Sequence, residues 1–143
     1  MTVLASFLLL SSWQTDFEKA KQTAQAEHKF ILLNFSGSDW CGPCIRLHKD
    51  FFETDAFDRY AHDHLVLVTA DFPRLKKNAL TKDMQRKNDQ LAEVYNKEGN
   101  FPLTLLLSSD GAVLKKWEGL PKIPPQEFVN EINAVIDERN FHR

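Results

Sequence analysis

Three apolar runs, at residues 30–35, 65–71 and 102–107, place the strongest constraint on the fold of this chain. Segments with helical periodicity separate them. Residues 30–35 read FILLNF and residues 65–71 read LVLVTAD. Nearly continuous runs of this kind are typical of strands that are buried on both faces. Between these two runs, Ile45, His48 and Phe51 recur at helical spacing. The alternation of strand and helix predicts an α/β layer structure.

The last third of the chain predicts two strands followed by a helix. Residues 102–107 (PLTLLL) and 112–117 (AVLKKW) flank SSDG, in which Asp110 and Gly111 are a strong hairpin signal because glycine accepts a positive φ. The two strands should be antiparallel neighbours, so the sheet is expected to be mixed. A helix is predicted after Pro125, and its apolar stripe consists of Phe128, Val129, Ile132, Val135 and Ile136.

Three further helices are predicted from capping signals and periodicity. Thr15 and Glu18 form a capping-box pattern at the start of the first helix. Thr54 opens a segment that continues or kinks the helix before it. Residues 82–97 are predicted to be helical, with apolar contacts from Met84, Leu91, Val94 and Tyr95.

The chain has 143 residues and a formal charge of −2. That length suits one domain with a real core, which we expect over residues 13–143. The charge gives no electrostatic reason to bind nucleic acid or an anionic membrane. We also expect a monomer.

The first twelve residues, MTVLASFLLLSS, form the most apolar run in the chain. The run is far shorter than the ~20 residues that a membrane-spanning helix needs, so no stable membrane insertion is expected. Two interpretations stay open for residues 1–12: the remnant of a secretory signal peptide, or a first strand packed on the domain.

The only two cysteines, Cys41 and Cys44, lie in SDWCGPC at positions 38–44. As a structural staple their bond would close a very short loop, and the chain-entropy model gives such a loop only roughly 2 kcal/mol. As half of a zinc site they would need two more ligands, and the spacing to His48, His62 and His64 fits no standard finger. No metal site is therefore predicted.

As a redox reagent the pair has suitable surroundings. Cys41 follows a buried strand and falls at the start of a predicted helix, where unpaired backbone N–H groups and the helix dipole favour a thiolate. Cys44 lies one turn further on and can resolve a mixed disulfide. Pro43 is tolerated in the first helical turn and stiffens the ring.

The sequence WCGPC at positions 40–44, directly after an apolar strand, closely resembles the active site of the thioredoxin family. The resemblance covers roughly residues 13–137 and implies the thioredoxin fold, a central mixed β-sheet flanked by helices. Within that family the chain is most similar to bacterial extracytoplasmic thioredoxin-like proteins whose site reads GSDWCxxC. The similarity implies a periplasmic or otherwise extracytoplasmic location, with a cytoplasmic location as the alternative.

The resemblance also assigns roles to residues around the cysteines. Pro102 in GNFPLT is the counterpart of the family's cis-proline, and the backbone of Phe101 would pair with an extended substrate. Gly119 in WEGL corresponds to a third active-site loop. Trp40 would lie across the site as a docking surface, and Gly42 with Pro43 favours a reductant.

Asn34 departs from the family pattern. Thioredoxins bury an aspartate in the strand before the motif, and the matching position here is Asn34 in LLNFSG. A carboxamide cannot take up a proton in that role. We therefore expect the deprotonation of Cys44 to rely on water or on another group.

These observations predict a thiol:disulfide oxidoreductase that exchanges disulfides with protein substrates through Cys41 and Cys44, in the direction of reduction. An isomerase or oxidase of the same fold, or a non-catalytic polypeptide-binding module, is the alternative. No cofactor or metal is expected beyond the redox-active disulfide, and electrons would come from a partner dithiol or reductase.

A basic cluster after the second strand has two interpretations. Its members lie within a polar stretch, which is usually a solvated surface. The alternative is a docking site for an acidic partner. The cluster consists of Arg74, Lys76, Lys77, Lys82, Arg86 and Lys87.

Overall fold

The computed structural model describes residues 12–142 of the chain. Its strands are β1 (Trp13–Gln14), β2 (Phe30–Ser36), β3 (Leu65–Asp71), β4 (Leu103–Leu107) and β5 (Val113–Glu118). Its helices are α1 (Phe17–Glu27), α2 (Gly42–Leu47), α3 (Asp55–His64), α4 (Lys82–Tyr95) and α5 (Pro125–Phe141). A π-helical turn (His48–Phe52) continues α2, and a 3₁₀ turn (Lys76–Asn78) lies before α4.

The five strands form one mixed sheet in the order β1-β3-β2-β4-β5. β3 runs parallel to β1 and β2, whereas β4 runs antiparallel to both β2 and β5. The predicted hairpin forms between β4 and β5, and Gly111 in its turn has a φ of 94°. The expected α/β architecture with a central mixed sheet is confirmed.

Alternating side chains of β2 supply two separate cores, one on each face of the sheet. Leu32 packs in a cluster with Phe57 of α3 and Phe128 of α5. Leu33 belongs to the opposite cluster with Ala20 of α1, which α4 also covers through half-buried side chains. Because side chains alternate across a strand, each residue of β2 is assigned to a face by its position alone.

Two details differ from the sequence-based expectations. Asp16, not Thr15, caps α1, because the helix begins at Phe17 and the Asp16 carboxylate accepts a hydrogen bond of 3.1 Å from the backbone N–H of Lys19. Val94 is 67% exposed and is not a core contact, since α4 turns Leu91 and Tyr95 toward the sheet instead. Thr54 caps α3 as expected.

The proposed alternatives for the N-terminal segment concern residues that lie outside the described range, apart from Ser12, which belongs to no strand. The first described strand is β1, which pairs with Leu67 and Val68 of β3. Within residues 12–142, no helix has the length and apolar character needed to cross a membrane.

Candidate active site

Cys41 and Cys44 are joined in a disulfide at the start of α2, with their Cα atoms 5.2 Å apart. Cys41 is the N-cap of this helix, and its sulfur accepts a hydrogen bond of 3.2 Å from the backbone N–H of Cys44. Cys41 retains 5% of its accessible surface and Cys44 3%. Pro43 lies in the first turn of the helix. The structure therefore places the pair where the sequence predicted it, after β2 and at a helix start.

The turn between β2 and α2 depends on Gly37, which the sequence analysis did not single out. The carbonyl of Gly37 accepts hydrogen bonds from the backbone N–H groups of Trp40 and Cys41. A Cβ at Gly37 would lie 2.2 Å from Cε2 of Trp40, a distance that no real contact allows. A Cβ at Gly42, in contrast, would meet nothing within 4 Å. The close approach of the indole ring to the backbone thus requires glycine at Gly37 but not at Gly42.

Trp40 connects the cysteine loop to two neighbouring segments. Its Nε1 donates a hydrogen bond of 2.8 Å to the carbonyl of Phe72, which follows β3. Its ring packs edge-on against Phe101, with the ring centroids 5.5 Å apart. The indole is therefore held at the junction of three loops.

The sheet register brings the Pro102 loop and the Gly119 loop to the end of the sheet where β2 ends. Phe35 near the end of β2 is opposite Leu103, and Leu103 is opposite Glu118. The next residues outward are Pro102 and Gly119, and the N–H of Gly119 donates to the carbonyl of Pro102 over 2.9 Å. The Phe101–Pro102 bond is cis, as the family resemblance implied, and Gly119 has a φ of 74°.

Asn34 lies on the α2 side of the sheet, two residues after Leu32. It is 6% exposed, and its Nδ2 donates a hydrogen bond of 3.0 Å to Oγ1 of Thr104. Asn34 and Cys44 line the same cavity, which has a volume of about 540 Å³. Asn34 therefore shares a cavity with the second cysteine, at the position where the family resemblance implies an acid.

Four ionisable side chains also line this cavity: His48, Lys49, Glu53 and Asp71. Nε2 of His48 lies 3.5 Å from Oε1 of Glu53. The side chain of His48 is half exposed, and it shares the cavity with Cys44. His62 and His64, at the end of α3, do not line it.

Asp39 was also missed by the sequence analysis, although it lies two residues before Cys41. Its carboxylate accepts hydrogen bonds from the backbone N–H groups of Arg74 and Leu75 (2.9 and 3.0 Å) and from Nδ2 of Asn78 (3.0 Å). The bond from the Arg74 N–H and the bond from Asn78 hold the pKa of this carboxyl below its ordinary value. An aspartate directly before the WCGPC tryptophan is the only signal that the sequence offers for this contact.

Among residues 12–142, no group of three or more His, Cys, Asp or Glu side chains is arranged to hold a metal ion. Within these residues, the two cysteines are therefore not grouped with His48, His62 or His64 as a metal site.

Comparisons with known proteins agree with this geometry. A family model described as Thioredoxin-like matches residues 12–109. The disulfide bond reductase DsbH of Chlamydia pneumoniae is 32% identical over 124 residues, which are 87% of this chain and 72% of that protein. A solved DsbH oxidoreductase has a TM-score of 0.78 at 28% identity and covers 88% of this chain and 84% of its own.

A thioredoxin from Thermus thermophilus shares the fold, with a TM-score of 0.66 at 18% identity over 89% of this chain and 88% of that one. The relatives and the Cys41–Cys44 disulfide confirm the prediction of a thiol-disulfide oxidoreductase with the thioredoxin fold. The chain belongs to the Thioredoxin-like family.

Proposed function

We propose that this chain reduces disulfide bonds in other proteins, with Cys41 as the attacking sulfur and Cys44 as the resolving one. In the reduced protein, the Cys41 thiolate attacks a substrate disulfide, forms a mixed disulfide and releases one substrate thiolate. Cys44, after losing its proton, attacks the Cys41 sulfur and releases the second substrate thiol. The protein is left with the Cys41–Cys44 disulfide, and a donor dithiol or reductase must return two electrons before the next cycle.

The observation that carries this proposal is the position of Cys41 as the N-cap of α2. Its sulfur accepts the N–H of Cys44 at 3.2 Å, and an N–H donor at the positive end of a helix stabilises a thiolate. Cys44 lies inside the first turn of the helix. The N-cap position favours Cys41 as the sulfur that meets substrate.

The surrounding residues support the site in different ways. Trp40 forms the docking surface beside Cys41, and Gly42 with Pro43 sets the geometry of the ring. Asn34 places a polar, uncharged amide in the cavity that Cys44 also lines. None of these roles involves a metal or an organic cofactor.

Substrate docks on the loop that contains Phe101 and Pro102 and on the loop that contains Gly119. Phe101, Pro102 and Gly119 lie at the edge of the sheet where β2 delivers the chain to the cysteines. An extended substrate segment adds its backbone beside Phe101 as a short strand. The cis bond before Pro102 agrees with the family resemblance on which this assignment rests.

We further propose that residues 13–143 act as one monomeric domain outside the cytoplasm, where substrate disulfides persist. The proposal rests on the GSDW sequence before the cysteines and on the apolar residues 1–12. Fractionation of the native host, with alkylation of free thiols in each fraction, tests it. Recovery of the protein in the cytoplasmic fraction alone would contradict it.

The reductase assignment is tested by two measurements on one preparation. The fully reduced protein should reduce insulin, with turnover when dithiothreitol is supplied. Equilibration with glutathione buffers should give a potential below roughly −200 mV, the range of reducing members of this fold. A potential near about −120 mV without insulin reduction would indicate an oxidase, and no exchange at all would indicate a binding module.

A further inference from the structure

A basic loop lies directly beside the candidate active site. We define it as residues 73–79, between β3 and α4, and it includes the 3₁₀ turn Lys76–Asn78. Residues 74–79 are all exposed. Leu75, with 48% of its surface accessible, is one of the most exposed large apolar residues of the described chain. The loop thus presents both positive charge and apolar surface.

The loop is fastened to the cysteine loop. The Asp39 carboxylate accepts hydrogen bonds from Arg74, Leu75 and Asn78. Just before the loop, the carbonyl of Phe72 accepts the indole N–H of Trp40. Three hydrogen bonds from the loop to Asp39, with this fourth one to the residue that precedes it, keep the loop in a fixed position relative to the disulfide.

The loop continues the surface that surrounds the cysteines. The Arg74 guanidinium carbon lies 3.6 Å from the centroid of the Trp40 ring, and that ring contacts Phe101 at 5.5 Å. Phe101 is adjacent to Pro102, where substrate backbone is proposed to dock. Arg74, Trp40 and Phe101 therefore form a continuous path from the substrate-docking edge to the basic loop.

The loop's lysines have no acidic partner in the described part of the chain. Lys76 and Lys77 form none of the ion pairs found among residues 12–142, whereas Arg86 and Lys87 on α4 both pair with Asp83. The two carboxylates beside the loop are already occupied: Asp39 accepts three hydrogen bonds, and Asp71 accepts from Ser38 and from the N–H of Phe72. The positive charge of Lys76 and Lys77 is therefore available to a partner.

We propose that the basic loop binds an acidic segment that flanks the target disulfide of the substrate protein. This inference rests on the proposed reductase function and names the class of substrate that the site prefers. The disulfide is presented to Cys41, and the flanking segment crosses Trp40 to reach Arg74, Lys76 and Lys77. Opposite charge on the two surfaces raises the rate of encounter and fixes the register of the substrate. Leu75 supplies apolar contact within the same surface.

The test compares three disulfide-bonded peptides that differ only in the four residues flanking the disulfide, which are glutamate, glutamine or lysine. The measured quantity is the second-order rate constant for oxidation of the pre-reduced full chain by each peptide in a single turnover, at low and at physiological salt. We expect the glutamate peptide to react about fivefold faster than the glutamine peptide at low salt, as two or three exposed charge pairs allow. The lysine peptide should be slower, and the differences should shrink as salt screens the charges.

The variant K76E/K77E should reverse the order of the three peptides. The matched control is K19E/K97E, which makes the same change of charge at two exposed lysines on α1 and just after α4, outside the loop and the site. The control should keep the preference for the glutamate peptide. Circular dichroism spectra and melting temperatures show whether both variants remain folded.

The outcomes distinguish failure of the reductase function from failure of the substrate preference. If the wild type reduces none of the peptides, the reductase function itself fails. If it reduces all three at equal rates, the function stands and the basic loop has no part in substrate choice. Equal rates together with salt-sensitive binding of the wild type to phosphatidylserine vesicles would assign the loop to a lipid surface and would also overturn the proposal. A preference retained by K76E/K77E would do the same.

Discussion

Asn34 is an amide within the mostly apolar strand β2, and it lines the same cavity as Cys44. Its hydrogen bond to Thr104 satisfies one of its two donors, but neither amide nor hydroxyl can hold the Cys44 proton. The ionisable groups that share the cavity are His48, Glu53 and Asp71, together with Lys49. The unusual residue of this site is thus Asn34: β2 supplies an uncharged amide to a cavity that carboxylates and an imidazole also line.

We expect Asn34→Asp to speed the resolving step and to lower stability. The new carboxylate can accept the Cys44 proton, but its burial destabilises the folded state by roughly 1–3 kcal/mol at neutral pH. Burial raises the pKa of such a carboxyl, so the loss of stability should grow as pH rises and diminish at low pH. Urea denaturation at pH 5 and pH 8 measures the change in stability, and single-turnover quenching measures the rate of the resolving step.

Thr104→Val is the matched control, because it removes the hydrogen bond of Asn34 without adding an acid. It should lower stability at both pH values alike and should not speed resolution. If Asn34→Asp leaves the Cys44 titration and the resolving rate unchanged, the side chain at position 34 does not control the deprotonation of Cys44.

Tyr60 offers a second test at the residue scale, remote from the chemistry. Burial, followed by the charge of Asp137, raises the pKa of its hydroxyl to about 12, and within the described residues this buried hydroxyl has no hydrogen-bond partner. The stability that depends on its protonated form is present below the ordinary tyrosine value and is lost as pH rises toward 12.

Tyr60→Phe should therefore leave the free energy of unfolding unchanged or slightly higher at pH 7, because an unpaired buried hydroxyl contributes little. Between pH 10 and pH 12 the variant should lose less stability than the wild type. Denaturation by urea at pH 7, 10 and 11.5 provides the comparison, and parallel losses in both proteins would show that Tyr60 is not shielded from solvent.

At the scale of elements, the turn from β2 into α2 has two glycines with different physical roles. A side chain at Gly37 collides with the indole of Trp40, whereas one at Gly42 meets open space. The contact between Trp40 and Phe72 depends on the first glycine. The second lies in the first turn of the helix, where alanine is also accommodated.

The pair Gly37→Ala and Gly42→Ala tests this difference. Gly37→Ala should displace Trp40 and lower the melting temperature, with the changed indole environment visible in tryptophan fluorescence. Gly42→Ala should keep the melting temperature within the error of measurement or raise it, while remaining able to change the redox potential. Equal destabilisation by both substitutions would show that the indole does not pack on Gly37 in solution.

The position of the basic loop depends on the side chain of Asp39. Asp39 holds three of its donors, and the hydrogen bond from Arg74 keeps the pKa of Asp39 below the ordinary value. A lowered pKa means that this attachment is present above the ordinary aspartate pKa and is lost as pH falls through the lower folded-state value.

Asp39→Asn should accordingly loosen the loop at neutral pH. Hydrogen exchange at the amides of Arg74 and Leu75 should speed up by several-fold, while the amides of β2 keep their protection. Asp83→Asn, which removes a partner of Arg86 and Lys87 on α4, serves as a control that changes the same charge outside the loop. Unchanged exchange at Arg74 in Asp39→Asn would refute the anchoring role.

At the scale of the whole molecule, the parts that could be predicted are those with a repeating or local signal. The strands and helices follow from apolar runs and helical spacing, and the hairpin follows from Asp110 and Gly111. The antiparallel pairing of β4 with β2, which has no local sequence signal, places Pro102 where β2 ends. The reactive pair is recognisable because WCGPC is contiguous in sequence.

The parts that could not be predicted depend on contacts between distant residues or on a choice between equivalent ones. The hydrogen bonds that the N–H groups of Arg74 and Leu75 donate to Asp39 span 35 and 36 positions and leave no periodic pattern in the sequence. Thr15 and Asp16 are both good helix caps, so only the position of the first helical residue decides between them. The orientation of α4, which exposes Val94, is likewise set by packing and not by its sequence.

The central claim is that Cys41 attacks a substrate disulfide and Cys44 resolves the product. Reaction of the single variants Cys44→Ser and Cys41→Ser with a defined disulfide-bonded protein, followed by mass spectrometry of the adducts, tests it most directly. Cys44→Ser should accumulate a stable mixed disulfide at Cys41, and Cys41→Ser should form little or none under the same conditions. An adduct at Cys44 that forms as fast as the one at Cys41, or no adduct in either variant, would contradict the account.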